Sequence, residues 1–182
     1  MWERLLGSVI KKYGAYAHFY LNFSLHNVIV VLKMISDLDE RGNLPPGRHR
    51  ATWQELEQRY GTNQRRLQLL AGMKRMLLSL KSVGCKTAYI NGSFVTAKEI
   101  PGDYDGCWAR NGVDLQLLRI ADPVLLDFTN QRIAQKLKYG GEMFPAEVIE
   151  QTSGYVFIDF FTRDKNTGDP KGIIEIDLGG LA

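Results

Sequence analysis

The sequence predicts a mixed α/β (α+β) fold. Three observations carry that prediction. Thr52-Trp53-Gln54-Glu55 has the S/T-x-x-E form of a helix capping box. Leu67, Leu70, Leu77 and Leu80 then recur near helical spacing, which gives a helix one apolar face. Tyr155–Phe161 is a run of aromatic and β-branched residues of the kind that fits a strand. With 182 residues the chain is long enough for one domain with a proper core.

The elements follow in order along the chain. Trp2, Leu5, Leu6, Val9 and Ile10 have an amphipathic helical spacing within Met1–Lys12, and a strand is expected over Val28–Met34. Gly42-Asn43-Leu44-Pro45-Pro46-Gly47 is a turn-rich link that neither a helix nor a central strand tolerates. It divides an N-terminal extension, residues 1–40, from a main domain, residues 41–182. A first helix starts at the capping box and breaks near Gly61, and a second restarts at Thr62 or Asn63. Arg65, Arg66, Lys74 and Arg75 in this second helix read as a solvated surface. Gly84 closes the helix and Lys86–Ile90 reads as a strand. Asp122-Pro123 reads as an N-cap with proline in the first helical position. The helix it opens is expected to run to Lys138 with Leu126, Ile133 and Leu137 inward, and to stop at Gly140-Gly141. After the Tyr155–Phe161 strand, Asn166–Pro170 turns the chain and Gly172–Leu178 returns as a paired strand.

Composition narrows the function classes. A hydrophobic fraction of 45% and a charged fraction of 24% are ordinary for a soluble globular protein. A net charge of +3 permits contact with nucleotides, but the basic residues show no concentrated patch of the sort dedicated nucleic-acid binders carry. Cys85 and Cys107 lie outside any C-x-x-C spacing, so neither a disulfide nor a zinc site is expected, and free thiols fit a reducing cytoplasm. His18, His26 and His49 show no ligand spacing. The apolar run Asn27–Leu32 is far short of the roughly 20 residues that span a bilayer, and no signal-peptide order appears at the N-terminus. A cytoplasmic protein with no membrane partner is expected.

The functional information concentrates in INGSFVTAKEIPGDYDGCW, residues 90–108. Gly92 and Ser93 leave the strand before them as a small-residue turn, where backbone N–H groups of a following helical turn can receive an anion such as phosphate. Asp103 and Asp105 follow at i and i+2, a spacing that on a strand points both carboxylates to one face and Tyr104 to the other. Two like charges on one face contribute nothing to folding. A bound divalent cation relieves their repulsion, and hard oxygen ligands favour Mg²⁺ or Mn²⁺. A phosphate cradle beside such a cation is apparatus for phosphoryl or nucleotidyl transfer.

Gly92-Ser93, nine residues, then Asp103-Tyr104-Asp105 resembles the signature of the DNA-polymerase-beta-like nucleotidyltransferase superfamily. The segments Asn43–Gly47, Gly92–Thr96, Asp122–Phe128 and Pro170–Ile173 resemble an uncharacterised prokaryotic and phage family within it, over roughly residues 40–178. The resemblance implies a minimal nucleotidyltransferase core, a small mixed sheet flanked by helices. It implies that a third acidic residue comes from a later strand, and Asp159 is the position matched to it. Asp103, Asp105 and Asp159 would then hold the metals and form the catalytic carboxylates, with Gly92 and Ser93 orienting the phosphates of a nucleoside triphosphate. Gly106 and Asn91 depart from the superfamily, which has apolar residues there. The acceptor class implied is a protein, an RNA end or a small molecule, in a toxin–antitoxin or phage-defence setting with a partner protein encoded nearby. The alternatives are a non-catalytic nucleotide- or partner-binding protein on a degenerate nucleotidyltransferase fold, and a metal-dependent hydrolase using the same acidic cluster.

Overall fold

The computed structural model describes residues 35–182 and, before them, the backbone of two strands, His18–Ser24 (β1) and Asn27–Lys33 (β2). These two pair antiparallel, with His18 opposite Lys33 and Ser24 opposite Asn27. The strand expected near Val28 is β2, whereas the amphipathic spacing of Met1–Lys12 lies outside the described residues. Among the described residues no helix is long and apolar enough to cross a membrane.

Five further strands form one mixed sheet: Gly47–Ala51 (β3), Thr87–Asn91 (β4), Asp105–Trp108 (β5), Glu142–Pro145 (β6) and Gly172–Asp177 (β7). Their order is β3-β7-β4-β5-β6. β4 runs antiparallel to both of its neighbours, while β3 is parallel to β7 and β6 is parallel to β5. β3 and β6 have no periodic signal in the sequence. Each is a short strand at a sheet margin, recognised only by its partner.

Helices Trp53–Tyr60 (α1) and Gln64–Ser82 (α2) form as their caps predict. The Thr52 side chain accepts from the Glu55 N–H at 3.2 Å and the Thr52 N–H donates to Glu55 Oε2 at 2.7 Å, a complete capping box. Leu69, Leu70, Met73, Met76, Leu77 and Leu80 of α2 are all within 1% of full burial. Each contributes about 1.5–3 kcal/mol by leaving water. With Ile90 of β4, Trp108 of β5 and Ile174 and Ile176 of β7 they make the main core on one face of the sheet. Leu70, Leu77 and Leu80 lie on the buried stripe that the leucine spacing marks, and Leu67 alone of the four stays 44% exposed. The opposite face carries a smaller cluster of Cys107, Phe144, Ala146, Phe161 and Ile173.

Two expected elements form differently. Tyr155–Phe161 is not a strand; Phe157–Phe161 is a short helix (α5). In a helix Phe157, Phe160 and Phe161 fall at i, i+3 and i+4 on one side, and Phe157 stacks on Phe144 with ring centroids 4.0 Å apart. The aromatic composition serves either conformation, and packing on Phe144 decides between them. The segment after Asp122-Pro123 is not one helix either. A 3₁₀ turn at Pro123–Leu126 stops where Asp127 Oδ1 accepts from the N–H and hydroxyl of Thr129, a local bond that competes with helix continuation. Asn130, Gln131 and Arg132 then take positive φ before Ile133–Tyr139 (α4) begins, and another helix, Leu115–Ala121 (α3), precedes the turn. Of the residues expected inward, Ile133 is 49% and Leu137 80% exposed. Asp122 does not cap by its side chain: its buried carboxylate accepts from Ser79 Oγ at 2.6 Å, Lys138 Nζ at 2.8 Å and the Tyr139 hydroxyl. Both cysteines are buried and free.

Candidate functional site

The site lies at one end of the sheet, where β4 ends and β5 and β6 begin. Antiparallel pairing sets Asn91 opposite Asp105, and parallel pairing sets Asp105 opposite Glu142. Alternation along β5 and β6 puts Asp105 on the face of Cys107, and Glu142 on the face of Phe144. The two carboxylates are therefore neighbours on the face of the smaller aromatic cluster. Tyr104 turns the other way and is fully buried in the main core, as the D-x-D spacing predicts.

The Gly92-Ser93 turn closes on this pair. Gly92 has φ +78°, and a Cβ there would stand 2.2 Å from Asp105 Oδ2, so only glycine lets the turn pass against the carboxylate. A 3₁₀ turn, Ser93–Val95, follows at once. Asn91 is buried: its Oδ1 accepts from the Gly92 N–H at 2.5 Å, and its Nδ2 donates to the carbonyl of Phe161. Asn91 thus ties the turn to α5. Gly106 is likewise forced, since a Cβ would meet the Tyr89 carbonyl at 2.4 Å.

α2 holds the loop that connects the turn to Asp103. Arg66 is buried, not part of a solvated surface, and donates to the carbonyls of Phe94 at 2.7 Å, Lys98 at 2.5 Å, Thr96 at 3.1 Å and Glu99 at 3.2 Å. Arg65 donates to the carbonyl of Pro101 at 3.2 Å and to that of Gly102. Adjacent arginines at the start of a helix read as surface until the loop they organise is in view.

Charges around the carboxylates are partly balanced. Arg132 grips Glu142 with Nε and Nη2 at 2.7 and 3.1 Å. Lys136 bridges Asp103 at 3.3 Å and Glu142 at 3.4 Å. Burial, then the charges of Asp103 and Glu142, push the Asp105 carboxyl up to about 6 despite the opposing Lys136. Burial also lowers the ammonium of Lys171, against the pull of Asp164 and Asp105.

Gly92, Ser93, Asp103, Asp105, Glu142 and Lys171 line one cleft of about 800 Å³, whose far wall holds Phe144, Phe157, Phe160 and Phe161 and whose rim holds Lys98, Arg163 and Lys165. The structure brings together four of the five predicted site residues. It does not bring Asp159, which sits exposed on α5 and outside the cleft lining, because the expected strand is a helix. The third carboxylate beside Asp103 and Asp105 is Glu142. It follows Gly140-Gly141 in a four-residue strand with no alternation signal, so only the pairing of β6 with β5 reveals it. Arg132 and Lys136 were also silent in the sequence, being placed by the broken helix before them.

Among the described residues, no three His, Cys, Asp or Glu side chains already converge as metal ligands. Asp103 and Asp105 nevertheless offer hard oxygen donors into one cleft, and Asp105 bears a repulsion that Lys136 relieves only in part. A hard divalent cation fits this pair once Lys136 releases Asp103.

A family model described as a family of unknown function (DUF6932) matches residues 36–177. No curated protein and no solved structure matches the chain.

Proposed function

The chain belongs to that family of unknown function, and we propose that it is a metal-dependent nucleotidyltransferase, moving a nucleoside monophosphate from a triphosphate to an acceptor hydroxyl. The observation that carries the reading is the contact of the Gly92-Ser93 turn with Asp105, in a cleft that Asp103 also lines. The turn passes against the Asp105 carboxylate with no room for a side chain, so backbone N–H groups and a carboxylate adjoin in one cleft, the components that join phosphate to a cation.

The roles follow from position. Ser93 and the N–H groups of its 3₁₀ turn would receive the terminal phosphates, and Lys171, Lys98 and Arg163 would balance their charge. Asp103 and Asp105 would hold Mg²⁺ or Mn²⁺, which supplies charge stabilisation to the transferring phosphoryl group. Arg132 holds Glu142 fixed behind Asp105 through two hydrogen bonds. The acceptor oxygen forms its bond to the α-phosphorus as the bond to the bridging oxygen breaks. Pyrophosphate leaves with that electron pair, and the hydroxyl proton passes to a cleft carboxylate. The aromatic wall of Phe157 and Phe160 offers the base an apolar face. Asp159 stands outside this arrangement, and Glu142 takes its proposed place. A cytoplasmic setting beside a partner protein belongs to the same reading.

One observation favours a second reading, a non-catalytic nucleotide- or partner-binding protein. Lys136 already neutralises Asp103 and Glu142, as a resident cation would. Thermal unfolding with each nucleoside triphosphate separates the two. Ligand at about 100 times its dissociation constant stabilises by roughly 2.7 kcal/mol. A shift that needs Mg²⁺ and is lost in Asp103→Asn supports the transferase. A shift that is indifferent to Mg²⁺ and to that substitution supports the binding protein, and no shift with any nucleotide sinks both nucleotide readings.

A further inference from the structure

A second cavity, of about 340 Å³, shares Asp103 with the larger cleft. Its walls come from the start and middle of α2 and from the end of α4, and Asp103 and Lys136 line it. Arg65, Arg75, Lys136 and Lys138 bring four cations against the single carboxylate of Asp103. The charge of Lys138 is matched outside the cavity by Asp122, at 2.8 Å. The two guanidinium groups have no such match among the described residues. Arg75 donates to the carbonyls of Ala71 and Lys138, both at 3.2 Å, and Arg65 to those of Pro101 and Gly102. Carbonyl partners fix the direction of a guanidinium without cancelling its charge, and each fork keeps donors free.

We propose that this pocket is the acceptor subsite, binding the phosphate monoester of a phosphorylated acceptor whose hydroxyl reaches Asp103. The inference rests on the transferase reading and names its substrate class. Arg65 and Arg75 are set about 15 Å apart along α2 and so line different parts of the cavity. An unneutralised guanidinium lining a concave site selects phosphate, whose oxygens match its planar fork of donors, over an unmodified protein side chain. The shared Asp103 gives the pocket a further consequence. An anion there competes for Lys136 and draws it off Asp103, which frees that carboxylate for the cation in the larger cleft. The two sites then bind cooperatively, and the coupling is the same in both directions.

Isothermal titration tests this with inorganic phosphate, ribose 5-phosphate and a short 5′-phosphorylated oligoribonucleotide. Each is added to wild type, Arg75→Gln and Arg75→Lys, with and without Mg²⁺ and a mixture of the four nucleoside triphosphates. The expected result is at least tenfold weaker binding of the monoesters to Arg75→Gln, an intermediate loss in Arg75→Lys, and tighter binding when Mg²⁺ and nucleotide are present. Ribose 5-phosphate binding as well as the oligonucleotide supports a small-molecule acceptor, and binding of the oligonucleotide alone supports an RNA end. Equal affinity in all three proteins overturns the proposal, as does displacement of phosphate by nucleotide, which would place it in the larger cleft. A Mg²⁺-dependent nucleotide shift without any monoester binding removes the subsite and leaves the transferase reading standing. Monoester binding to a protein that takes no nucleotide overturns the acceptor role together with that reading.

Discussion

Asp105 is where the sequence's demand and the fold's demand conflict most directly. Its carboxyl sits at about 6 against an ordinary 3.8, because it is buried and faces Asp103 and Glu142. A carboxyl raised on folding favours the folded state only while it is protonated. Its contribution is full below about pH 4 and is lost as pH rises through about 6. A difference of this size is worth up to about 3 kcal/mol between the two protonation states. In metal-free protein, Asp105→Asn should therefore be more stable than wild type at pH 7.5, by an amount approaching that figure, and the advantage should shrink toward zero by pH 4. Urea unfolding of both proteins across this range measures it. A variant less stable at pH 7.5 would mean that Asp105 is held by attractive contacts. The D-x-D spacing announces this residue in the sequence. It is silent on Glu142, whose proximity depends on a strand pairing.

At the scale of elements, α2 is both the wall of the core and the frame of the site loop. Met73, Leu77 and Leu80 point into the core while Arg65 and Arg66, at the other end of the helix, hold the carbonyls of residues 94–102. Arg66→Met leaves four carbonyls without their donor and should cost about 2–4 kcal/mol. Hydrogen exchange should speed up in residues 94–102 well beyond any change in β4, since the loop and not the strand depends on the guanidinium. Uniform acceleration across the sheet would show instead that Arg66 supports the whole core. What was legible here is instructive. The caps of α1 and α2, the Gly84 and Gly140 stops and the strands β2, β4 and β7 are written in local residue chemistry. Phe157–Phe161 and Pro123–Tyr139 are not, because an aromatic run suits two periodicities and because Asp127 breaks the helix through its own side chain. Arg66 reads as solvent-facing for a related reason. A charged side chain is buried here by carbonyl partners roughly 30 residues away in sequence, which periodicity does not register.

Over the whole molecule the sheet divides its labour along its length. Ala88, Ile90, Ile174 and Ile176 in the central pair β4 and β7 are fully buried against α2, while the site carboxylates Asp103, Asp105 and Glu142 lie at one end of the sheet, where β5 and β6 begin. Stability is supplied by one part of the sheet and spent at another. The face-to-face placement of Asp105 and Glu142 on parallel strands has an evolutionary consequence. A library of random variants selected only for heat resistance should accumulate Asn at 105 early and spare Glu142, because neutralising Asp105 removes the repulsion while Glu142 is needed to pair Arg132 and Lys136. Natural selection that keeps Asp105 is then selection against stability, and sequencing such a library would reveal how strongly function has opposed it.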